Sequence, residues 1–391
     1  MLTHSIRRSI AQRNEYSHCI AHSTISTSKH RFSSHEKIVT KPESSKPQFS
    51  TALTISSTTA ISHPPPKWHA PWKPYKVMAA HTGVVNTVIV DSSNEFFCSG
   101  SADSTIKIWD LALGKVKLTL TGHTSSVRSL AIDQRWPLLF SSSDDKQIFA
   151  WDLSSNNNAK VRSFFGHSST ITSLVLHPTL PLLFSAGRDK DIKAWDLRSP
   201  RPVMNLAGHL DGVASIAAQQ AEPQLISSSF DLTIKLWDLK MAKCQQTLTH
   251  HSKPPRSVVI HPRLYSFASA DSDVAKIWKL PECKIMGNYK DHKGSVINRL
   301  IVSDDDVLIG TGRDGMMYFW DYLSGHCFQH LLAPFPGCRR SEMSINDVTF
   351  DQSQSRLITA CGDGTIKLFK VDSGVEKSEI TWTRPQEDVF F

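Results

Sequence analysis

"GSADSTIKIWDL", residues Gly100–Leu111, holds a Ser-Asp turn, a short alternating run and a Trp-Asp pair. The role of Asp103 depends on whether this stretch is unique in the chain. It is not. Close copies are "SSDDKQIFAWDL" (Ser142–Leu153), "AGRDKDIKAWDL" (Ala186–Leu197) and "SSFDLTIKLWDL" (Ser228–Leu239). Fainter ones are "ADSDVAKIWKL" (Ala270–Leu280), "TGRDGMMYFWDY" (Thr311–Tyr322) and "CGDGTIKLFKV" (Cys361–Val371). Their aromatic residues, Trp109, Trp151, Trp195, Trp237, Trp278, Trp320 and Phe369, are 42, 44, 42, 41, 42 and 49 positions apart. Self-similarity at a near-constant period marks a repeat architecture, in which each unit buries its apolar faces against its neighbours.

Copy two shows what one unit is. "SVRSLAI" alternates, offering Val127, Leu130 and Ile132 for burial; "PLLFSSS" is a short apolar run; "QIFAWDL" and "KVRSFFGH" complete the set. Four short runs separated by turn signals predict a small antiparallel sheet. A lone sheet leaves two faces uncovered, and stacking seven around an axis covers them. A period of about 40–45 residues with Trp-Asp endings resembles the WD40 repeat. The expected fold is therefore all-β, a seven-bladed WD40 β-propeller with a disordered basic N-terminal tail. The expected organisation is a tail over 1–62, a lead-in over 63–73, the propeller over 74–372 and a C-terminal tail over 373–391. The strand-like Tyr75–Ala79 is expected to close the ring as the outer strand of blade seven.

Composition narrows the function. The chain has 391 residues, 40% hydrophobic and 20% charged, enough for a large core, and no run long enough to be a membrane-spanning helix. Seven scattered cysteines without a C-x-x-C pair point to reduced thiols and away from a zinc site. Residues 1–62 carry eight Lys/Arg against three Glu, so most of the net +8 lies there and the propeller is nearly neutral. That tail is rich in Ser and Thr and poor in periodic apolar residues, as disordered segments are. Its first twenty residues, "MLTHSIRRSIAQRNEYSHCI", also have the Arg-rich, acid-poor composition of a mitochondrial transit peptide.

A histidine precedes the turn aspartate by 22 residues in six copies: His81/Asp103, His123/Asp145, His167/Asp189, His209/Asp231, His251/Asp273 and His292/Asp314. A hydroxyl lies four residues before the aspartate at Ser99, Ser141, Ser185, Ser227, Ser269 and Thr359. With the tryptophan, these resemble the Trp–Ser–His–Asp hydrogen-bonded tetrad of WD40 blades. The expected tetrads are His81, Ser99, Asp103, Trp109; His123, Ser141, Asp145, Trp151; His167, Ser185, Asp189, Trp195; and His209, Ser227, Asp231, Trp237. Ser, His and Asp together also invite a hydrolase reading. A catalytic site occurs once, whereas this set recurs around the ring, so no catalytic residue, cofactor, metal or small-molecule substrate is expected. Blades five to seven depart from the pattern: "HHSKPPRSV" puts two prolines into a first strand, Gly310 replaces a hydroxyl, and Ser341 in "APFPGCRRSEMS" stands where a histidine is expected.

"PKWHAPWKPYKV" (Pro66–Val77) resembles the lead-in of the pleiotropic regulator 1 family, WD40 splicing factors associated with the nineteen complex of the spliceosome. Further matches are Gly100–His123, "QAEPQLI" (Gln220–Ile226), "IHPRLYSFAS" (Ile260–Ser269), "FDQSQSRLITA" (Phe350–Ala360) and "WTRP" (Trp382–Pro385). The family carries a longer N-terminal extension and a basic C-terminal ending, so contacts made by those are not transferred. The resemblance implies a nuclear, non-catalytic scaffold in pre-mRNA splicing, with nineteen-complex proteins as partners and RNA met mostly indirectly. Arg128, Arg188, Phe230, Arg256 and Arg313 fall just before turn aspartates or early in first strands, and are expected to share one face as a partner site. The "WDLR" at Trp195–Arg198 resembles a docking motif for the cullin-4 ubiquitin-ligase adaptor, which makes Asp196 and Arg198 a second candidate. The alternatives are therefore a cullin-4 substrate receptor or a mitochondrial WD40 protein.

Overall fold

Alternation of buried and exposed side chains along each short run builds, among the described residues, 28 strands, paired into seven four-stranded antiparallel sheets in a computed structural model. It describes residues 64–154, 160–290, 292, 294–333, 342–372 and 374. The expectations for the tail over 1–62, for nearly all of the tail over 373–391 and for the loop around Ser341 lie outside the described residues. Among the described residues no helix is long and apolar enough to cross a membrane.

Blade two is typical. Its inner strand Val127–Ile132 pairs with Leu138–Ser143, which pairs with Gln147–Asp152, which pairs with the outer strand Lys160–Phe165. Blades one to six each take four consecutive strands. Blade seven is different: its outer strand is Trp72–Ala79, from the start of the propeller, antiparallel to Thr365–Val371 near its end. The ring is thus shut by a hydrogen-bonded seam between distant parts of the chain.

The core lies between blades. Cys98, Ile106, Ile108 and Leu120 of blade one pack on Val127, Leu130, Leu139 and Trp151 of blade two. Met78, Ile358, Ile366 and Leu368 of blade seven pack on Val85, Val88, Phe97 and Trp109 of blade one. Seven such clusters fill the seven interfaces, which is how a repeated two-faced sheet buries both faces.

The lead-in is anchored on blades six and seven. Trp72 is 6% exposed, against Phe319 and Phe350, and its backbone exchanges two 2.8 Å hydrogen bonds with the Gln329 side-chain amide. His69 stacks on Phe328 and meets Asp321 at 3.3 Å.

Candidate functional site

The turn aspartates come first, because they fix the loops that form one face. In blade two His123 Nδ1 lies 2.7 Å from Asp145 Oδ2, His123 Nε2 2.8 Å from Ser141 Oγ, and Trp151 Nε1 donates to the same Oγ at 2.9 Å. The same links join His81, Ser99, Asp103 and Trp109. They join His167, Ser185, Asp189 and Trp195, and likewise His209, Ser227, Asp231 and Trp237. A neutral imidazole suits this chain: Nδ1–H donates to the carboxylate and Nε2 accepts from the serine hydroxyl. Burial holds His81 and His209 below the usual histidine pKa. Gly122 and Gly166, just before two of these histidines, have φ of +157° and +158°, and a Cβ on either would sit 3.1 Å from the next tryptophan. Ser99, Ser141, Ser185 and Ser227 are 0% exposed, each hydroxyl held between an imidazole and an indole.

Blade five corrects the spacing rule. His251 Nδ1 pairs with Asp271 Oδ2 at 2.8 Å, not with Asp273, which meets Lys253 at the surface. The turn here is shorter, and Asp271 Oδ1 accepts the backbone N–H of Asp273 and Val274. In blade six Gly310 leaves room for the indole, since a Cβ there would lie 2.8 Å from Trp320, and His292 packs edge-on against Tyr318 and Trp320. In blade seven Lys367, 0% exposed, reaches Asp363 at 2.8 Å and supplies the cation-side partner in place of an imidazole. The sequence signal was present, a lysine two residues before Phe369 after a turn Asp363, but the same lysine position in blade one, Lys107, donates to the Ala80 carbonyl instead.

The face carrying these turns surrounds a cavity of about 470 Å³ at the mouth of the ring, whose lining includes Arg128, Arg188, Phe230 and Arg256. Two features aim residues into it. In six inner strands the register shifts at the second residue, in blade two between Val127 and Ser129. Such a bulge leaves one residue out of the ladder and re-aims it. The bulged residues are Asn86, Arg128, Thr172, Ala214, Asn298 and Asn346; in blade five Arg256 precedes the strand that starts at Ser257. Second, in blades three, four and six the residue before the turn aspartate is pinned through its N–H to the residue just ahead of the inner strand, Arg188 to Thr170, Phe230 to Gly212 and Arg313 to Val296.

Most bulged residues stitch blades together. Asn86 donates to Val127 O, Thr172 to Val213 O, Asn298 to Ile345 O and Asn346 to Val85 O, at 2.6–3.0 Å. One position further, Asp347 accepts from Thr87 Oγ1 and Val88 N of blade one and pairs with Arg299 of blade six at 3.1 Å. Arg128, at the bulge of blade two, makes no such inter-blade bond among the described residues. Arg128 forms a fork with Asp144, Nη2 to Oδ2 at 2.7 Å and Nε to Oδ1 at 2.9 Å. Arg256 is half-buried, and burial, then the nearby Arg313, lowers its guanidinium pKa. Arg313 is not among the residues lining the cavity, although its charge reaches Arg256.

Asp196 and Arg198 do not join this group. Asp196 ends the third strand of blade three, Ile192–Asp196, and Arg198 follows it; the Asp196 end pairs with Leu182, away from the turn at Gly187. They therefore belong to the opposite face. The Arg198 side chain is 66% exposed, with its Nε 3.7 Å from Asp196 Oδ1. No group of three or more His, Cys, Asp or Glu among the described residues is arranged to hold a metal.

Comparison with known proteins agrees with this architecture. The model of the WD domain, G-beta repeat, matches residues 72–110, 114–152, 158–196, 200–238 and 330–370. Protein pleiotropic regulator PRL2 of Arabidopsis thaliana is 52% identical over 83% of this chain and 68% of its own length. Pleiotropic regulator 1 of Homo sapiens is 55% identical over 84% of this chain and 64% of its own length. Pre-mRNA-splicing factor PRP46 of Kluyveromyces lactis is 50% identical over 78% of this chain and 70% of its own length. The chain thus spans about two thirds of the length of these relatives. It belongs to the WD40 repeat proteins and, among them, to the pleiotropic regulator 1 and PRP46 family.

Proposed function

We propose that this protein is a non-catalytic scaffold in pre-mRNA splicing, acting in the nucleus through protein–protein contacts. The observation that carries the reading is a likeness of about half of all residues, over most of the chain, to a protein named as a pre-mRNA-splicing factor. The fold supports it: a ring held by seven interfaces keeps two loop faces and a rim in fixed relation, so several partners dock without competing. Nineteen-complex proteins are the proposed partners, with RNA met mainly through the assembly, since the nearly neutral propeller lacks the charge for a long phosphate track. The test is affinity purification of the tagged chain, with identification of bound proteins and RNAs. Splicing proteins and small nuclear RNAs are expected; recovery of mitochondrial proteins alone, with loss of the first thirty or so residues, would favour import instead.

A second docking reading attaches to the opposite face, where Arg198 is exposed and only loosely paired. As an adaptor contact of a cullin-4 ligase, its fork would form charge-assisted bonds with one partner. Arg198→Ala is then expected to weaken adaptor binding and leave splicing partners bound. Equal retention of the adaptor by the variant would remove this reading.

A further inference from the structure

We infer that the mouth of the ring binds a phosphorylated serine or threonine in an extended segment of a partner protein. The inference deepens the scaffold reading, on which it rests, by naming what one face takes.

The argument begins with charge. Four arginines stand on this face, but Arg128 is already neutralised by its fork to Asp144. Arg188, Arg256 and Arg313 have no carboxylate within ion-pair distance among the described residues. Asp144 is the sole carboxylate among the residues lining the cavity, and it is engaged. Like charges left together without a counter-ion raise one another's energy; burial first, and then the neighbouring Arg313, lower the guanidinium pKa of Arg256. The fold does not need this arrangement, because asparagine or threonine at the same bulge stitches the neighbouring blade in four other places. Arginine at Arg256 gives up that stitch and leaves an unpaired cation beside a 470 Å³ cavity.

The anion's class follows from number and shape. A carboxylate is satisfied by one guanidinium fork, whereas a phosphate monoester brings close to two charges and three acceptor oxygens, enough to engage several arginines. Phe230, half-buried in the cavity wall, offers an apolar surface to the chain that carries the phosphate. A nucleic-acid backbone fits less well. Its phosphates need cations along a path, while here they converge on one mouth of a nearly neutral propeller.

The test uses the full-length protein, immobilised, and a degenerate peptide pool with a central phosphoserine or phosphothreonine. Control pools carry serine, threonine or glutamate at that position, and a uridine oligonucleotide serves as competitor. The phosphorylated pool is expected to be retained in preference to all others. Arg188→Glu and Arg313→Glu, both at exposed positions, are each expected to weaken retention about tenfold or more, with unchanged melting temperature, while Arg198→Glu on the other face has no effect. If charge reversal unfolds the ring, Arg188→Gln and Arg313→Gln carry the same comparison. Equal retention of the glutamate pool, displacement by the oligonucleotide, or indifference to the substitutions overturns the inference. Co-purification from cells is read in parallel: splicing proteins recovered with no phosphopeptide preference would overturn this inference alone and leave the scaffold reading intact.

Discussion

Asp145 holds its turn and its histidine at once, accepting from His123 at 2.7 Å and from the Gln147 N–H at 3.0 Å. Asp145→Ala orphans these buried donors and is expected to cost about 1–3 kcal/mol in denaturant melts. Blade five allows a sharper comparison. Asp271→Ala is expected to cost about the same, whereas Asp273→Ala removes only a surface pair to Lys253 worth about 1 kcal/mol or less. Similar losses from both would refute the shortened turn. Acid acts on the same groups. Burial lowers His81 and His209. Burial alone would raise Asp231, but hydrogen bonds from Thr233, Leu210 and His209 outweigh it and bring the carboxyl to about 2. In each case the folded value lies below the unfolded one, so the unfolded chain binds more protons and acid favours unfolding. This stability is complete above about pH 6.5; the histidine share is lost as pH falls below that, and the Asp231 share from about 4 down to about 2. Melting temperatures flat from pH 8 to 5 would contradict neutral buried imidazoles. The four regular tetrads were legible in the sequence because the same spacing recurs. Asp271 was not, since a loop that shortens keeps its chemistry while breaking the count.

At the scale of the element, blade seven departs most from its siblings, and its repairs are local. Lys367→Met leaves the Asp363 carboxylate buried without its cation and is expected to cost about 3–5 kcal/mol, with much of the loss recovered by adding Asp363→Asn. No recovery in the double variant would mean that the lysine's packing, not its charge, holds the strand. The lead-in is the other irregular element. Trp72→Ala opens a cavity among Phe319, Phe350 and the Gln329 clasp and is expected to cost about 3–5 kcal/mol, read by thermal or urea unfolding. Strand positions were readable from alternation and turn residues. The anchoring of His69 and Trp72 on blade six was not, because those partners lie more than 250 positions away and leave no periodic mark. The bulges escaped notice for a related reason: they are visible only once the neighbouring strand fixes the register.

For the whole molecule, stability belongs to the interfaces, and blade seven, where the chain closes, has a polar link to each of its two neighbours. Asp347 of blade seven accepts from Thr87 and Val88 of blade one on one side and pairs with Arg299 of blade six on the other. Asp347→Ala is expected to lower the melting temperature more than removal of an exposed carboxylate such as Asp273, and equal effects would show that blade seven is held to its neighbours by apolar packing alone. The ring and its blade count were legible from the repeat. The sequence offered Asp144 as the one acidic neighbour of Arg128, Arg188, Arg256 and Arg313, but that its fork is to Arg128, and that Arg313 stands outside the cavity lining, depends on side-chain geometry that no spacing reveals. The closing seam also sets a timetable. Trp72–Ala79 leaves the ribosome well before its partner Thr365–Val371, which lies almost three hundred residues further along the chain. At about 5–20 residues per second, that early strand waits on the order of 15–60 s as an unpaired ribbon able to join other chains. Lys73, Pro74 and Lys76 within it are the residues that discourage such pairing, so the strand that finishes the ring carries its own protection against premature partners.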